Sequence, residues 1–241
     1  MADRLIEHGV APDSVHVIPH GTTRMQLPAR DASRASCGLR PEGTVFLFFG
    51  FVHGKKNVHT VLEAFLRIAS RRSEAQLVIA GRPWDHRWYN RLYLALLRAR
   101  ARVSGARARV HFLERFIPDE EVPRLFSAAD VILLPHRQAY GSASGVLHQA
   151  LGSGNAFLCA RGPKFENAEG AFADVPEVFV PPGAIAAWAE AMDAFCADTG
   201  LRDRCRAGAR LFAEQTSWEH VAEQHRRVYE RALEARRADV R

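Results

Sequence analysis

Five short apolar runs, each followed by a polar loop and then by a segment with helical periodicity, constrain the fold of this 241-residue chain most strongly. The runs are Val45–Phe49, Gln76–Ala80, Arg109–Leu113, Val131–Leu134 and Ala156–Ala160. Short apolar runs that alternate with amphipathic segments are typical of parallel strands joined by helical crossovers. The pattern therefore predicts an α/β fold built on a single doubly wound, Rossmann-like parallel sheet.

Weaker signals extend this pattern. Val15–Ile18 and Glu177–Val180 are expected to form two further short strands. Apolar residues at helical spacing predict helices over Asn57–Arg71 and Trp88–Arg102, and a shorter helix that Asp119 would cap. Three more helices are expected to finish the chain.

The loops after the first four strands are expected to line one crevice, because ligands of doubly wound sheets bind outside the carboxyl ends of the strands. The loops read GFVHGKKN from Gly50, GRPWD from Gly81, ERFIPD from Glu114 and PHRQAYGSASG from Pro135. They contain most of the loop glycines, lysines and small hydroxyl residues of the chain. This composition indicates an anionic ligand.

Small residues lead into the helix that is predicted to start near Gly145. The amides of Ser144, Gly145 and Val146 would be unpaired donors at the positive end of a helix dipole, where a phosphate can approach them. Lys56 can supply a compensating point charge, so a diphosphate can be held without a divalent metal. The alternative is an ordinary capped helix beside solvated lysines at 55 and 56.

Several kinds of site are not supported by the sequence. It contains no HExxH, no cluster of metal ligands, no GxSxG, no GxGxxG and no GxxxxGK[ST], so zinc protease, dehydrogenase and P-loop functions are unsupported. The four cysteines form no CxxC pair, which fits a reduced, cytoplasmic compartment.

The net charge of +6 is concentrated in Arg87–Arg109 and in Arg226–Arg241. On a helix over Trp88–Arg102, one face would carry arginines and another would be apolar. The arginines are Arg87, Arg91, Arg98 and Arg102, and the apolar residues are Leu92, Leu96, Ala99 and Val103. Such basic surface is either simply solvated or a patch for acidic lipid head groups and phosphorylated ligands. Nucleic acid is not expected, because exposed aromatics are not interleaved with the charge.

The ordered motifs of the chain resemble the donor half of the family-4 retaining glycosyltransferases with the GT-B fold. The motifs are VHVIPHG, FGFVHGKKNVHTVLEAF, LVIAG, VHFLERFIPDEEVPRLFSAADVILLP and SGVLHQALGSGNAFL, and they cover Val15–Leu158 closely. The resemblance implies the C-terminal half of a GT-B fold. Residues 1–14 would be a joining segment, 15–215 the nucleotide-sugar-binding domain, and 216–241 a helix that packs toward a partner domain.

The resemblance also implies a nucleotide-diphosphate sugar as the donor substrate, with no metal or other cofactor. Gly50 and Lys56 would contact the diphosphate, Phe116 and Ile117 would border the base, and Gln149 would bond the ribose hydroxyls. The complete set of expected donor-binding residues is Gly50, Lys55, Lys56, Gly81, Phe116, Ile117, Ser144, Gly145, Val146 and Gln149. No catalytic residue is assigned.

Three positions depart from the family pattern. The family usually has an arginine after the first-loop glycine, where this chain has Phe51, and two glutamates eight positions apart, where it has Gly141 and Gln149. Gln149 can bond a ribose hydroxyl without charge. Gly141 cannot stabilise a developing positive charge on the sugar.

GT-B enzymes pair this domain with an N-terminal acceptor-binding domain, which the residues before Val15 are too few to form. The chain is therefore expected to need an acceptor-domain protein as a partner, or to self-associate, before it transfers a sugar. The alternatives are a catalytically degenerate binding or regulatory module, and a truncated product or excised fragment. The expected location is cytoplasmic or peripheral to a membrane, because the sequence has no run of about 18 apolar residues.

Overall fold

A computed structural model of the protein describes residues 2–85, 87–136, 143–163 and 165–239. Its strands are β1 (Val45–Phe49), β2 (Gln76–Ala80), β3 (Val110–Leu113), β4 (Val131–Leu134), β5 (Ala156–Ala160) and β6 (Phe179–Val180). They form one parallel sheet in the order β3-β2-β1-β4-β5-β6. The predicted single doubly wound sheet is confirmed, and the direction of winding reverses between β1 and β4.

The α-helices are α1 (Ala2–Glu7), α2 (Arg30–Ser36), α3 (Val58–Ile68), α4 (Trp88–Arg102), α5 (Val122–Ala128), α6 (Gly145–Ser153), α7 (Glu166–Glu169), α8 (Ile185–Ala197), α9 (Thr199–Gln215) and α10 (Trp218–Asp239). Single 3-10 turns occur at Pro12–Ser14, Gly54–Lys56, Arg107–Arg109, Gly170–Phe172 and Pro176–Val178. Helix α3 packs against α4 and α8 on one face of the sheet, while α5 packs against α2 and α6 on the other. No helix within the described residues is long and apolar enough to span a bilayer.

The strands are apolar throughout because helices cover both faces of the sheet. Phe46, Leu47 and Phe48 of β1 are fully buried although their side chains alternate between the two faces. Helix α3 places Leu62 and Phe65 in the same core. Because both faces of the sheet are buried, the ends of the strands are well defined. These ends determine where the loops that line the crevice begin.

Two sequence expectations at the strand level are wrong. Residues 15–18 are extended but join no ladder, and Val17 is exposed, so Val15–Ile18 is not a strand. The last strand is only Phe179–Val180, because Pro176–Val178 forms a 3-10 turn in which proline fits the first position.

Two helix starts also differ from expectation. Helix α3 begins at Val58, because Asn57 adopts a left-handed backbone conformation with φ of 57°. Helix α5 begins at Val122 with Pro123 in its first turn, and Glu121, without a side-chain cap, precedes it. Asp119 therefore does not cap α5.

A buried ion pair ties α2 to the amino edge of the sheet. The guanidinium of Arg34 is fully buried and donates a hydrogen bond of 2.5 Å to Asp130, which lies directly before β4. The amide of Val45 donates to the same carboxylate oxygen at 2.7 Å. Burial lowers the pKa of Arg34, and the carboxylate of Asp130 opposes that effect.

Candidate functional site

The loops after β1 and β2 are joined at the centre of the crevice. The amide of Gly50 donates to the carbonyl of Ala80 at 3.0 Å, and the amide of Val52 donates to the carbonyl of Arg82 at 2.9 Å. Gly50 and Gly81 have φ values of 124° and 142°, which side chains rarely allow. The two predicted site glycines thus hold the first two loops together.

Gly50 also lies beside the helix that the fourth loop enters. A Cβ placed on Gly50 would come 3.8 Å from the side chain of Val146 in the first turn of α6. The first loop and the start of α6 therefore face each other across the point where the sheet reverses its winding. Ligands of doubly wound folds bind at this position.

Lys56 ends the 3-10 turn Gly54–Lys56, and its side chain reaches across to the end of β4. Its Nζ atom donates a 2.9 Å hydrogen bond to Nε2 of His136. His136 is buried and stacks on Phe165, with ring centroids 5.8 Å apart. The imidazole holds the ammonium group at the crevice side of the sheet.

Lys55 is not brought to the same place as Lys56. It is exposed and makes no hydrogen bond or ion pair with any residue that the structure describes. Its charge acts on His53, whose pKa is lowered by burial first and then by Lys56 and Lys55. Lys55 therefore borders the first loop without a fixed partner.

Helix α6 begins with a capped first turn that is exposed at Gly145. Ser144 is the N-cap residue, and its hydroxyl accepts a hydrogen bond of 3.3 Å from the amide of Leu147. Gly145 is exposed, and outside its own helix turn no atom of the described residues lies within 4 Å of a Cβ placed there. The amide end of the helix, with its partial positive charge, is accordingly accessible to a ligand.

A cleft of about 540 Å³ opens beside α6. It lies between residues 20–26, the start of α5, the first half of α6 and Trp218, and both Gly145 and Gln149 line it. Gln149 thus projects into a space that can hold a small polar molecule. The family position at Gly141 lies outside the described residues.

The two residues of the third loop that are predicted to border the base differ in exposure. Ile117 is buried in the core, whereas Phe116 is exposed. Neither of them lines the cleft beside α6. Phe116 instead faces the second loop, where the guanidinium carbon of Arg82 lies 5.9 Å from the centre of its ring.

Arg82 is a feature of the site that the sequence reasoning missed. Its guanidinium also lies 5.7 Å from the ring of Phe51, and Phe51 makes an edge contact with Trp84 at 4.9 Å. The family usually has an arginine at the position of Phe51. In this chain the guanidinium of Arg82 lies against the ring of Phe51 instead. The signal in the sequence was the positive charge of Arg82, which directly follows Gly81 in the GRPWD loop.

A polar cluster anchors the N-terminal side of the cleft to α6. The ring of His20 stacks on that of His148 at 4.6 Å, and the hydroxyl of Thr22 lies within hydrogen-bonding distance of Nδ1 of His148, at 2.7 Å. The indole of Trp218 packs over Gly21 and donates to the hydroxyl of Thr23 at 3.0 Å. Burial, and then the charge of His20, lowers the pKa of His148 to about 4, so this histidine is neutral near pH 7.

Comparisons with known proteins identify the family to which this chain is similar. Residues 43–198 match the family model described as glycosyl transferases group 1. The D-inositol 3-phosphate glycosyltransferase of Jonesia denitrificans is 29% identical over 232 residues, which cover 91% of this chain and 52% of that enzyme. The chain spans about half the length of the first curated relatives that it matches.

Two solved structures share the fold over nearly the whole chain. Sucrose-phosphate synthase from Thermosynechococcus elongatus superposes with a TM-score of 0.77 at 21% identity, covering 97% of this chain and 56% of its own. The Anabaena protein HepE in complex with UDP-glucose superposes with a TM-score of 0.76 at 18% identity, covering 97% of this chain and 61% of its own. At these identities the likeness shows the fold alone.

Proposed function

Because the chain belongs to the group 1 glycosyl transferases, we propose that it forms the donor half of a retaining glycosyltransferase of family 4. In this proposal the crevice at the carboxyl edge of the sheet binds a nucleoside-diphosphate sugar. The observation that carries the proposal is the convergence of Lys56, Gly50 and the open first turn of α6 at the reversal between β1 and β4.

The diphosphate would lie between Lys56 and the first amides of α6. Lysine contributes a full charge, and the helix contributes directed donors near Ser144, Gly145 and Val146, so no divalent metal is needed. Gly50 leaves room for the ligand to approach the backbone, and Gly81 allows the second loop to lie against Gly50. The complex of the Anabaena protein HepE with UDP-glucose, on the same fold, supports a ligand of this class.

The nucleoside would extend along α6 toward the cleft. In this arrangement the side-chain amide of Gln149 bonds the ribose hydroxyls. The base would turn toward the third loop, where the exposed ring of Phe116 and the backbone at Ile117 border it. Arg82 lies against Phe51 and supplies the positive charge that this chain lacks at position 51. Residues 137–142 of the fourth loop, which include Gly141 and would contact the sugar, lie outside the described residues.

The same groups would act during sugar transfer. When the bond between the anomeric carbon and the diphosphate oxygen breaks, the electron pair remains on the diphosphate. The acceptor hydroxyl oxygen forms the new bond to carbon, and its proton passes to the released diphosphate. Lys56 and the α6 amides face the oxygen atoms that become more negative. Such fixed charges lower the barrier because they need little reorganisation.

Transfer itself is proposed to require an acceptor-binding domain, in the same longer protein or in a partner, because the chain spans 52% of its relative from Jonesia denitrificans. Holding donor and acceptor in register contributes on the order of 7–11 kcal/mol to such reactions. We expect residues 1–241 alone to transfer no radiolabelled sugar, and we expect addition of an acceptor-domain protein to restore transfer. Robust transfer by residues 1–241 alone would contradict this requirement.

A second candidate function is that of a binding or regulatory module without transferase activity. Phe51 and Gln149 favour it, because each replaces a charged residue of the family with a neutral one. A module of this kind would bind the nucleotide sugar but remain inactive with every acceptor domain. The transfer assay therefore separates the two functions.

Calorimetric titration tests the donor site directly. The ligands are UDP, GDP, ADP and their glucose conjugates, and the proteins are the unaltered chain, Lys56→Ala and the neighbouring control Lys55→Ala. We expect binding of at least one ligand, and we expect Lys56→Ala to weaken it by roughly 1–3 kcal/mol. Lys55→Ala should change the affinity less than about threefold, since Lys55 is exposed and makes no ion pair with the described residues. Absence of binding at millimolar ligand, or equal losses in both variants, would refute the proposed site.

A further inference from the structure

Helix α4 buries only a narrow stripe of its surface. Its buried residues are Asn90, Leu94, Leu97 and Ala101. At 3.6 residues per turn these four positions lie within an arc of about 60°, on the side that faces the domain. The remaining circumference of the helix is therefore available to solvent or to a partner.

The side of α4 directly opposite this stripe is apolar. Trp88, Leu92, Leu96 and Val103 follow one another along it, about 180° from the buried residues. Trp88 is 73% exposed, Leu96 59% and Val103 81%. A surface helix of a globular protein normally places polar residues there. The sequence pattern identified this apolar face, and the structure shows that it points outward.

A row of arginines runs beside the apolar face. Arg91, Arg98 and Arg102 lie within an arc of about 40° between the buried stripe and the outward face. Arg98 pairs with Glu114 at 3.0 Å, and Arg100, on the other side, pairs with Glu63. Within the described residues, Arg91 and Arg102 form no ion pair. The rim of the apolar face thus carries uncompensated positive charge.

A cleft of about 450 Å³ lies at the edge of this surface. Its lining includes the guanidinium-bearing residues Arg91 and Arg98 together with the apolar residues Pro83, Leu92 and Ala95, and also Glu114. Positive charge above an apolar floor suits an anionic head group attached to hydrocarbon. This is a different chemistry from that of the crevice, where a lysine and helix amides face a polar ligand.

We propose that the outward face of α4 docks this protein on the surface of an anionic lipid bilayer. Trp88, Leu92, Leu96 and Val103 insert between head groups, and the arginine row lies at the level of the lipid phosphates. Tryptophan is favoured at this depth, and arginine can extend its charged end to the phosphates while its stem stays in the apolar layer. Complementary charge identifies the occupant, because a basic rim around an apolar centre fits an anionic membrane.

Docking in this way would orient the crevice. Trp84, in the loop that leads into α4, is exposed and contacts Phe51 in the first crevice loop. The N-terminal end of the docking face therefore adjoins the crevice loops. A bilayer seated on α4 would lie next to these loops, where an acceptor carried by a lipid would be within reach of the donor site.

Vesicle flotation tests the proposal. The purified protein is mixed with vesicles of phosphatidylcholine alone, or of phosphatidylcholine with one-third phosphatidylglycerol. We expect flotation with the phosphatidylglycerol vesicles only, and a decrease as salt rises, because screening weakens attraction to the lipid phosphates. The double variant Leu92→Glu/Leu96→Glu should lower partitioning at least tenfold.

A matched double variant controls for added negative charge. Leu211→Glu/Leu233→Glu adds two carboxylates at leucines that are equally exposed on α9 and α10, and it should float like the unaltered protein. Arg91→Gln/Arg102→Gln, which leaves the apolar face intact, should lose the preference for phosphatidylglycerol. Thermal melts verify that each variant is folded.

Several results would overturn the proposal. These are no flotation with either vesicle, equal flotation with both, or equal losses in the two leucine double variants. Sedimentation gives a further decision. If the unaltered protein forms dimers that Leu92→Glu/Leu96→Glu abolishes, and does not float, the face is a protein contact and the membrane assignment is wrong.

Discussion

Gly81 lies so close to Gly50 that a Cβ added to Gly81 would come 2.0 Å from the carbonyl oxygen of Gly50. This overlap involves backbone atoms, which cannot rotate away as the end of a side chain would. The two loops can therefore keep their present path only while position 81 has no side chain. Because both loops border the proposed diphosphate site, their path also sets the space that remains for the ligand.

Gly81→Ala should therefore destabilise the protein and weaken nucleotide binding. We expect a loss of roughly 2–4 kcal/mol in the free energy of unfolding, because the φ of 142° and the overlap act together. Gly54→Ala, in the first loop, is the control, since no atom of the residues that the structure describes lies within 4 Å of a Cβ at that position, its chain neighbours excepted. Urea denaturation measures the free energy of unfolding of both variants. Equal stabilities for the two variants would show that the loops adjust without cost.

Arg82→Ala should weaken the binding of UDP if Arg82 supplies the charge missing at position 51. The expected loss is roughly 1–2 kcal/mol, the scale of one charge-assisted contact. The double variant Phe51→Arg/Arg82→Ala places the charge on the first loop, and it should recover most of the lost affinity in calorimetric titration. If Arg82→Ala binds UDP as tightly as the unaltered chain does, the positive charge of Arg82 does not contribute to nucleotide binding.

Gln149→Glu should tighten the binding of a ribonucleotide. A carboxylate accepts hydrogen bonds from ribose hydroxyls more strongly than an amide oxygen does, and we expect a gain of about 1 kcal/mol. The matching 2′,3′-dideoxynucleotide lacks these hydroxyls and should show no gain. An unchanged or weaker affinity for the ribonucleotide, with circular dichroism intact, would count against the role of Gln149.

The stability of the fold should decrease below pH 6.5 because of His148. Its pKa is about 4 in the folded protein and about 6.5 in an unfolded chain, so the unfolded state binds the proton first as the pH falls. The stabilisation is complete above pH 6.5 and is lost progressively toward pH 4. Between pH 7 and 4.5 this amounts to roughly 2–3 kcal/mol.

Urea denaturation of His148→Gln at the two pH values isolates this contribution. Burial also lowers the pKa of His111, which adds a pH dependence of the same sign in both proteins. The variant should therefore lose less stability on acidification than the unaltered chain, by roughly 2–3 kcal/mol. Parallel losses in both proteins would show that His148 does not titrate in this way.

Arg34→Ala should be strongly destabilising because it leaves the carboxylate of Asp130 buried without its closest partner. Loss of one member of a buried pair typically costs about 3–5 kcal/mol. Arg30→Ala is the control on the same carboxylate, since Arg30 bonds its other oxygen at 3.0 Å and is half exposed. It should cost less than about 1 kcal/mol. Similar losses of stability in the two variants would mean that the burial of Arg34 does not increase its contribution to the free energy of unfolding.

The sequence predicted the fold well because the sheet is buried on both sides. The ends of β1, β2, β4 and β5 agree with the apolar runs. The resemblance to GT-B glycosyltransferases is confirmed by the family match and the shared fold. The expected strand over Val15–Ile18 is absent from the sheet. An apolar run does not show whether the segment can reach and pair with an edge strand.

The site was less predictable, because its contacts join residues distant in sequence. The position of Arg82 depends on Phe51 and Phe116, which belong to two other loops. The outward apolar face of α4 was visible as a pattern, but Leu94 and Leu97 offer a second apolar stripe. Periodicity alone cannot say which stripe packs on the sheet. The roles assigned to the ten donor-binding residues remain predictions.

The placement of Trp218 over Gly21 has a mechanical consequence. Residues 20–23 are held at once by the indole of Trp218, by Thr216 and by His148 of α6, so the beginning of the domain and its last helix are fastened to the same element. A displacement of residues 20–23 or of Trp218 would therefore be passed on to α6. Because the first turn of α6 borders the proposed donor site, a neighbouring domain that moved these residues would change the shape of that proposed site.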